Sequence, residues 1–200
     1  MATTSSNTVL LIAGSPSAPS RSSALLEAAG TRLALRGARI ERVSVRELPA
    51  QALLAADASH PALQRAADQL AAARAVVVAT PVYKAAYSGA LKVFLDLLPQ
   101  SALQGKAVLP LASGGSPHHM LALDYALRPV LQSLAARHIL AGVYATDSQV
   151  TLTPEGAYHL QAELAQRLDD SVAALATEGL RLPPSAAFEP VHFSQVRCSA

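Results

Sequence analysis

The sequence predicts an α/β fold: a doubly wound sheet of five parallel strands, covered by helices on both faces to form a three-layer α/β/α sandwich. The main observation is the run Val-Val-Val at residues 76–78, which is typical of a strand buried on both faces of a parallel sheet. Five apolar runs alternate with helical patterns, and right-handed crossovers arrange such units into this architecture. A loop also leads from the first strand directly into a helix, as doubly wound sheets require.

Each element follows from its local pattern. Leu25, Leu26 and Leu33 share one face of the first helix, which Ser22 or Ser23 caps and Gly37 ends. A proline opens the helix at 61, and another proline at 81 is expected to end the third strand because it cannot donate a hydrogen bond. In chain order the predicted elements are strand 8–13, helix 22–36, strand 39–45, helix 61–73, strand 75–79, helix 88–98, strand 106–112, helix 118–136, strand 138–144 and helix 154–177.

Composition favours one cytoplasmic domain over residues 8–180, with an N-terminal arm (1–7) and a C-terminal tail (181–200). The 200 residues are 51% hydrophobic and carry a net charge of +2 without any Lys/Arg run, so nucleic acid is not an expected partner. No apolar run is long enough to span a membrane, and the polar start lacks a secretory leader. Cys198 has no second cysteine for a disulfide or zinc site, and the histidines and carboxylates show no metal-ligand spacing.

Three loops at the carboxyl ends of neighbouring strands predict the ligand. The first, residues 14–23, is rich in hydroxyls and holds one arginine; it lacks the glycines that a diphosphate needs, so one monophosphate is the expected guest. The loop after strand three supplies proline and two tyrosines, which suit a flat aromatic ligand. The Gly-Gly pair after strand four lets backbone amides approach that ligand closely. Together the loops meet the requirements of flavin mononucleotide (FMN).

Four segments carry a resemblance to a known family: GSPSAPSRSS, ATPVYKAAYSGALKVFLDLLP, LQGKAVLPLASGG and LDYALRPVL. Over about residues 8–150 the chain resembles the flavodoxin-like, NAD(P)H-dependent FMN reductases that serve sulfonate monooxygenases. The resemblance implies noncovalent FMN, NADPH or NADH as reductant, and hydride transfer between these cofactors without a catalytic protein group. It also implies a transient FMN-dependent sulfonate monooxygenase partner. The tail ending FSQVRCSA resembles the methanesulfonate branch of the family.

The resemblance also implies site residues. The phosphate role falls to four residues, the flavin-ring loop to four and the second ring contact to three: Ser15, Ser20, Arg21 and Ser22; Thr80, Pro81, Val82 and Tyr83; Ser113, Gly114 and Gly115. Tyr125 corresponds to an extra residue that forms a π-bulge at a tetramer interface beside the flavin site. Two unusually apolar helices agree with a homotetramer.

Two alternatives remain open on the sequence. A related enzyme could retain FMN and reduce a quinone, azo dye or metal oxyanion. The other alternative, without a pyridine nucleotide step, is a flavodoxin-type electron carrier or a flavin-sensing interaction module, and the basic pI of 8.9 disfavours such a carrier. The sequence does not choose between NADH and NADPH, nor does it name the monooxygenase or fix the flavin affinity. The roles of Lys92, His118, His119, Asp147 and Ser148 also stay open between function and an ordinary solvated surface.

Overall fold

The computed structural model describes residues 7–153 and 157–180, and the predicted arm and tail lie outside them apart from Asn7. The elements are β1 (Thr8–Ala13), α1 (Arg21–Leu35), β2 (Arg39–Ser44), α2 (Ala50–Leu54), α3 (Pro61–Ala72), β3 (Ala75–Tyr83), β4 (Ala86–Tyr87), α4 (Gly89–Asp96), β5 (Ala107–Gly114), a 3₁₀ turn (Pro117–His119), a π-helix (Leu123–Leu127), α5 (Arg128–Ser133), β6 (His138–Ile139), β7 (Val143–Thr146), β8 (Val150–Leu152), β9 (Tyr158–Leu160), α6 (Ala162–Ala174) and a second π-helix (Leu175–Leu180).

The central sheet has the predicted doubly wound parallel order. Strand β1 pairs with β2 on one side and β3 on the other, and β5 and then β6 and β7 follow beyond β3. Ile12, for example, lies between Val43 and Val78. Because β1 sits between the two strands that follow it in sequence, the loops after β1 and β3 diverge at this switch point and leave room for a ligand.

Two hydrophobic cores lie on opposite faces of the sheet. Leu10 and Ile12 of β1 pack among residues of α3, α4 and α5, whereas Val9 and Leu11 pack among residues of α1 and α6. All four side chains are almost completely buried. The alternating side chains of one strand therefore enter both cores, which explains its continuous apolar run and confirms the three-layer arrangement.

The expectation that Pro81 ends the third strand is wrong, because β3 runs on to Tyr83 and then pairs with β4. Ala79 is the last β3 residue opposite β1, whereas Pro81 still faces Ser113 of β5. Beyond Ala79 the strand pairs on one side only, so a residue without an N–H is tolerated there.

The predicted fifth strand over 138–144 is interrupted, and β6 and β7 replace it. Pro110 of β5 lies at the interruption, between the residues that pair with β6 and those that pair with β7. It has no N–H to offer a continuous neighbour. A Cβ added to Gly142 would lie 3.1 Å from the Pro110 carbonyl oxygen, so the chain passes close to that proline at the break.

The expected helix over 118–136 contains a π-helix at Leu123–Leu127, which confirms the π-bulge at Tyr125. The single long helix was wrong at both ends, since a 3₁₀ turn precedes the π-helix and α5 ends at Ser133. The segment 120–125 of this region leaves three large apolar side chains exposed: Met120 at 56%, Leu121 at 55% and Tyr125 at 79%. We call these three residues the π-helix patch.

The last predicted helix, 154–177, starts too early. Residues 154–156 lie outside the described part, but Tyr158–Leu160 forms strand β9, which pairs with β8, and α6 begins only at Ala162. Val150 anchors this hairpin in the core. The short helix α2 was not predicted, and β2 ends one residue before the predicted Val45. In the described segments, no helix has the length and apolar character needed to cross a membrane.

Candidate functional site

A cleft of about 300 Å³ opens at the carboxyl ends of β1, β3 and β5. It brings together nine of the eleven predicted site residues and adds three others. Its lining consists of Ser15, Ser17, Pro19, Ser20, Arg21, Pro81, Val82, Tyr83, Ser113, Gly114, Gly115 and Asp147.

The first loop is held in shape by its own hydroxyls. Ser15 Oγ accepts a hydrogen bond from the Ser17 backbone N–H at 3.2 Å. Ser20, not Ser22 or Ser23, caps α1, because its Oγ accepts from the Ser23 N–H at 3.3 Å. Ser22 does not line the cleft; it is buried, with its Oγ 3.0 Å from that of Ser20. Its Oγ is placed to support the Ser20 hydroxyl.

Arg21 stands at the first position of α1, where the positive end of the helix favours an anion. Its Nε donates to the Val150 carbonyl oxygen at 3.1 Å, which ties the guanidinium to the β8–β9 hairpin. Its Nη1 lies 3.7 Å from Asp147 Oδ2. Nearby, Arg46 Nη1 donates to the Ser17 carbonyl oxygen at 3.2 Å. This hydrogen bond from Arg46 helps to hold the loop in shape. Nothing in the sequence signals it, because Arg46 lies 29 positions from Ser17.

Thr80 does not line the cleft, although the resemblance placed it in the flavin-ring loop. It is buried, and its Oγ1 accepts from the Ser88 N–H and donates to the Pro81 carbonyl oxygen, both at 2.9 Å. Ser88 caps α4 and also donates from its Oγ to the Gly14 carbonyl oxygen. Thr80 and Ser88 therefore join the loops after β1 and β3 through buried hydrogen bonds.

The tight turn between β3 and β4 carries one wall of the cleft. Lys84 and Ala85 at its tip have positive φ angles of 50° and 61°, the left-handed conformation of a two-residue hairpin turn. Pro81, Val82 and Tyr83 line the cleft just before this turn, and the Tyr83 side chain is 47% exposed. An accessible aromatic side chain at this position can lie against a planar ligand.

The loop after β5 forms the opposite wall, and its two glycines differ. A Cβ added to Gly114 would lie 2.6 Å from Tyr144 Oη and 3.3 Å from Val82 Cβ, so any larger residue would have to displace Tyr144. A Cβ added to Gly115 would meet only Asp147 Oδ2, at 3.7 Å. Tyr144 Oη donates to the Ser116 carbonyl oxygen at 2.6 Å, which fixes the loop. Burial, together with the charge of Asp147, raises the pKa of the Tyr144 phenol.

The structure places Lys92 and the two histidines, whose roles the sequence left open, outside the cleft. Lys92 lies outside the cleft and pairs with Asp96 at 2.6 Å; this hydrogen bond raises the pKa of the lysine. His118 and His119 border a second cavity, of about 500 Å³, together with Ala85, Leu121 and Tyr125. In the described part of the chain, no group of three or more His, Cys, Asp and Glu residues could hold a metal ion.

Ser17, Pro19 and Asp147 were not among the predicted site residues. Ser17 and Pro19 lie in the predicted phosphate loop, so its hydroxyl-rich pattern already contained them. Asp147 follows the last parallel strand of the sheet, and only its position at a strand end signalled it.

The family model and the relatives that this chain matches all carry the description FMN reductase. Residues 7–151 match the family model described as NADPH-dependent FMN reductase. The chain is 48% identical over 178 residues to "FMN reductase (NADPH)" of Escherichia coli K12, an alignment that covers 88% of this chain and 93% of that protein. It is 49% identical over 166 residues to the protein of the same name from Pseudomonas putida KT2440, covering 82% and 84%. To "NADH-dependent FMN reductase SfnF" of Pseudomonas putida it is 32% identical, covering 83% and 91%.

Solved structures agree with these relatives. The apo form of an NADH:FMN oxidoreductase, EMOB, superposes with a TM-score of 0.76 at 40% identity, covering 90% of this chain and 92% of that one. A flavodoxin from Streptococcus pneumoniae TIGR4 superposes with a TM-score of 0.57 at 13% identity, covering 86% and 98%. The second likeness concerns the fold alone and confirms its flavodoxin-like topology.

Proposed function

The chain belongs to the NADPH-dependent FMN reductase family, and we propose that the reduced FMN it forms passes to a separate FMN-dependent sulfonate monooxygenase. It is an oxidoreductase that uses NADPH or NADH with FMN. Bound FMN supplies the acceptor for hydride from the pyridine nucleotide. The partner class is supported by the segments at 14–23, 79–99, 103–115 and 123–131, which resemble reductases of sulfonate monooxygenase systems. We place this reaction in the cytoplasm.

The observation that carries the proposal is the chemistry of the cleft. Hydroxyls of Ser15, Ser17 and Ser20 and the guanidinium of Arg21 converge at the start of α1, where one phosphate can be bound by charge-assisted hydrogen bonds. Farther along the cleft, residues 81–83 and 113–115 form two walls between which a planar ring fits. The cleft thus suits a flavin that carries a single phosphate.

Within the cleft, we assign binding and orienting roles to protein groups, and no proton transfer. Asp147 is the one carboxylate among the described lining residues, and it faces Arg21 at the phosphate end. The ring end is lined by Pro81, Val82, Tyr83 and the two glycines, whose backbone amides can hydrogen bond to a flavin edge. These groups would hold the ring so that the nicotinamide can stack against its open face.

We also propose that the π-helix patch is buried by neighbouring subunits of a homotetramer. Its three large apolar side chains are more than half exposed in one chain. The π-helix contacts β4, the strand that follows the turn bordering the cleft, so an interface here would lie beside the cleft mouth. π-Helices are rare and frequently occur at functional sites, which supports a role for Tyr125 in flavin transfer.

The activity is tested by steady-state oxidation of NADPH and of NADH, with FMN, FAD and riboflavin added in turn. We expect FMN to give the lowest KM, because it alone combines a ring with one terminal phosphate. We also expect dialysed protein to be colourless. Protein that stays yellow after dialysis, with one FMN per chain, would contradict flavin transfer. It would favour reduction of a quinone, azo dye or metal oxyanion at the retained flavin.

The interface is tested by deleting Tyr125, with Leu152→Ser as a control at an exposed apolar residue elsewhere. We expect the deletion to restore a regular helix, increase flavin retention and impair transfer of reduced FMN to the monooxygenase, measured as product formed in the coupled reaction. Sedimentation should show a tetramer for the wild-type protein. A monomeric wild-type protein, or a deletion variant that delivers flavin normally, would contradict the proposal.

A further inference from the structure

We infer that Asp147 is a negative determinant of flavin affinity: its carboxylate at the phosphate end of the cleft weakens FMN binding and so favours release of the reduced cofactor. This inference rests on the proposed function, because it assumes that the phosphate of FMN binds at the first loop.

Hydrogen bonds of the backbone and of neighbouring side chains fix the position of Asp147. Its backbone N–H donates to the Gly114 carbonyl oxygen at 3.2 Å. On either side of it, Thr146 and Ser148 hydroxyls lie 3.0 Å apart, and the Thr146 N–H donates to the Gln149 side chain at 3.0 Å. The carboxylate is therefore carried by a hydrogen-bonded turn and is held at the cleft.

The carboxylate has only a weak attachment to the described residues. Its single charged partner is Arg21, at 3.7 Å, and no hydrogen bond to its oxygens is found in the described part of the chain. Both side chains are about half exposed, and ion pairs of this kind contribute little to folding. The contribution of this ion pair to folding stability therefore does not explain why residue 147 is acidic.

The carboxylate instead opposes the ligand. Because Arg21 Nε is occupied by Val150, the Nη atoms are the ones left for an anion, and Asp147 lies beside Nη1. A phosphate bound there must displace Asp147 from the guanidinium and also accept a like charge nearby. Affinity changes of this kind appear mainly in the dissociation rate, so the acid would shorten the time that FMN stays bound.

The test is Asp147→Asn, which keeps the side-chain shape and removes the charge. Binding of FMN and riboflavin to the intact protein is measured by quenching of flavin fluorescence. We expect FMN to bind about tenfold more tightly, ~1.4 kcal/mol, with a gain that shrinks at high salt. Riboflavin has no phosphate, so its affinity should change less than about twofold. Asp68→Asn, an exposed residue of α3 outside the cleft, makes the same change in net charge and should alter neither affinity.

Three outcomes would overturn the inference. Unchanged or weaker FMN binding by Asp147→Asn would show that the carboxylate does not oppose the phosphate. Equal tightening of FMN and riboflavin would place its effect on the ring or ribityl chain. An equal effect of Asp68→Asn would show that the gain in affinity comes from the net charge of the protein and not from the position of Asp147. Failure of the proposed function appears separately, as wild-type protein that does not oxidise NADPH or NADH with FMN.

Discussion

The cleft and the π-helix patch lie side by side at the carboxyl edge of the sheet, yet their surfaces are completed differently. Below the cleft, Thr80 and Ser88 are buried polar residues with hydrogen-bond partners inside the same chain. In the patch, Met120, Leu121 and Tyr125 are large apolar side chains that the described residues leave more than half exposed. The residues beneath the cleft are hydrogen bonded within one chain, whereas the patch is an exposed apolar surface that we propose a neighbouring subunit covers.

Mutations in the two regions should therefore have different effects. Substitutions beneath or within the cleft should change flavin binding or the stability of the single chain, because buried hydrogen bonds and close contacts are lost. Substitutions in the patch should leave the single chain nearly as stable and change assembly instead.

Arg21→Ala should reduce FMN binding more strongly than any other substitution proposed below. Loss of a charge-assisted contact to the phosphate should weaken FMN binding by about 1.5–3 kcal/mol. Riboflavin binding, measured by the same fluorescence titration, should hardly change. Arg46→Ala is the matched control, because Arg46 hydrogen bonds to the Ser17 carbonyl oxygen of the first loop but does not line the cleft. Equal losses for FMN and riboflavin would show that Arg21 shapes the loop rather than binding the anion.

Gly114→Ala and Gly115→Ala form a second pair. The new methyl group at 114 would overlap Tyr144 Oη and crowd Val82, so we expect a loss of about 1–3 kcal/mol in unfolding free energy and weaker binding of both flavins. At 115 the nearest atom is 3.7 Å away, so stability should be nearly unchanged. Urea unfolding and flavin titration measure both effects. Similar losses in the two variants would contradict the tight fit at Gly114.

Thr80→Val tests the buried link beneath the cleft. It leaves the Ser88 N–H without its acceptor, which should cost about 1–3 kcal/mol of unfolding free energy. Thr80→Ser keeps the hydroxyl and should recover most of that loss in the same urea titration. A Thr80→Val protein as stable as the wild type would mean that the link contributes nothing.

Tyr144→Phe should have a smaller effect, about 0.5–1.5 kcal/mol, because it removes one hydrogen bond to the Ser116 carbonyl oxygen. Since folding raises the pKa of this phenol above its usual 10.0, the folded state binds its proton more tightly. The wild type should therefore lose stability as the pH rises through and above 10, and the phenylalanine variant should lose less. Parallel alkaline unfolding curves would contradict this role.

The smallest effect on the single chain is expected in the patch. Leu121→Ser should change the unfolding free energy of the monomer by no more than about 0.5 kcal/mol. It should nevertheless shift sedimentation toward smaller species if neighbouring subunits cover the patch. An unchanged tetramer would place the interface elsewhere.

How much the sequence predicted depended on whether a signal was local. The valine run at 76–78 and the loops after β1, β3 and β5 carried their own patterns, so the sheet and the place of the cleft could be predicted. The resemblance supplied the individual residues, nine of which line the cleft. The extension of β3 past Pro81 depends on where β1 ends, and the break between β6 and β7 lies opposite Pro110 of a neighbouring strand. These features are set by the neighbouring strands, so the sequence of the segment alone does not predict them.

Thr80 and Ser22 illustrate the same limit within the site. The resemblance gave both residues a ligand-binding role; packing buries their side chains, and their hydroxyls form hydrogen bonds with Ser88 and Ser20. A polar residue in a ligand-binding loop can either contact the ligand or brace the loop, and its sequence position does not distinguish the two.

We propose that this cleft binds FMN through one phosphate and releases the reduced flavin to a partner. Two quantities test this together: the equilibrium affinity of the wild-type protein for FMN and the flavin content after exhaustive dialysis. A transferable flavin predicts a Kd near 1 μM, about −8 kcal/mol, and nearly flavin-free protein. A Kd near 1 nM, about −12 kcal/mol, with stoichiometric flavin after dialysis would contradict release and identify an enzyme that keeps its cofactor.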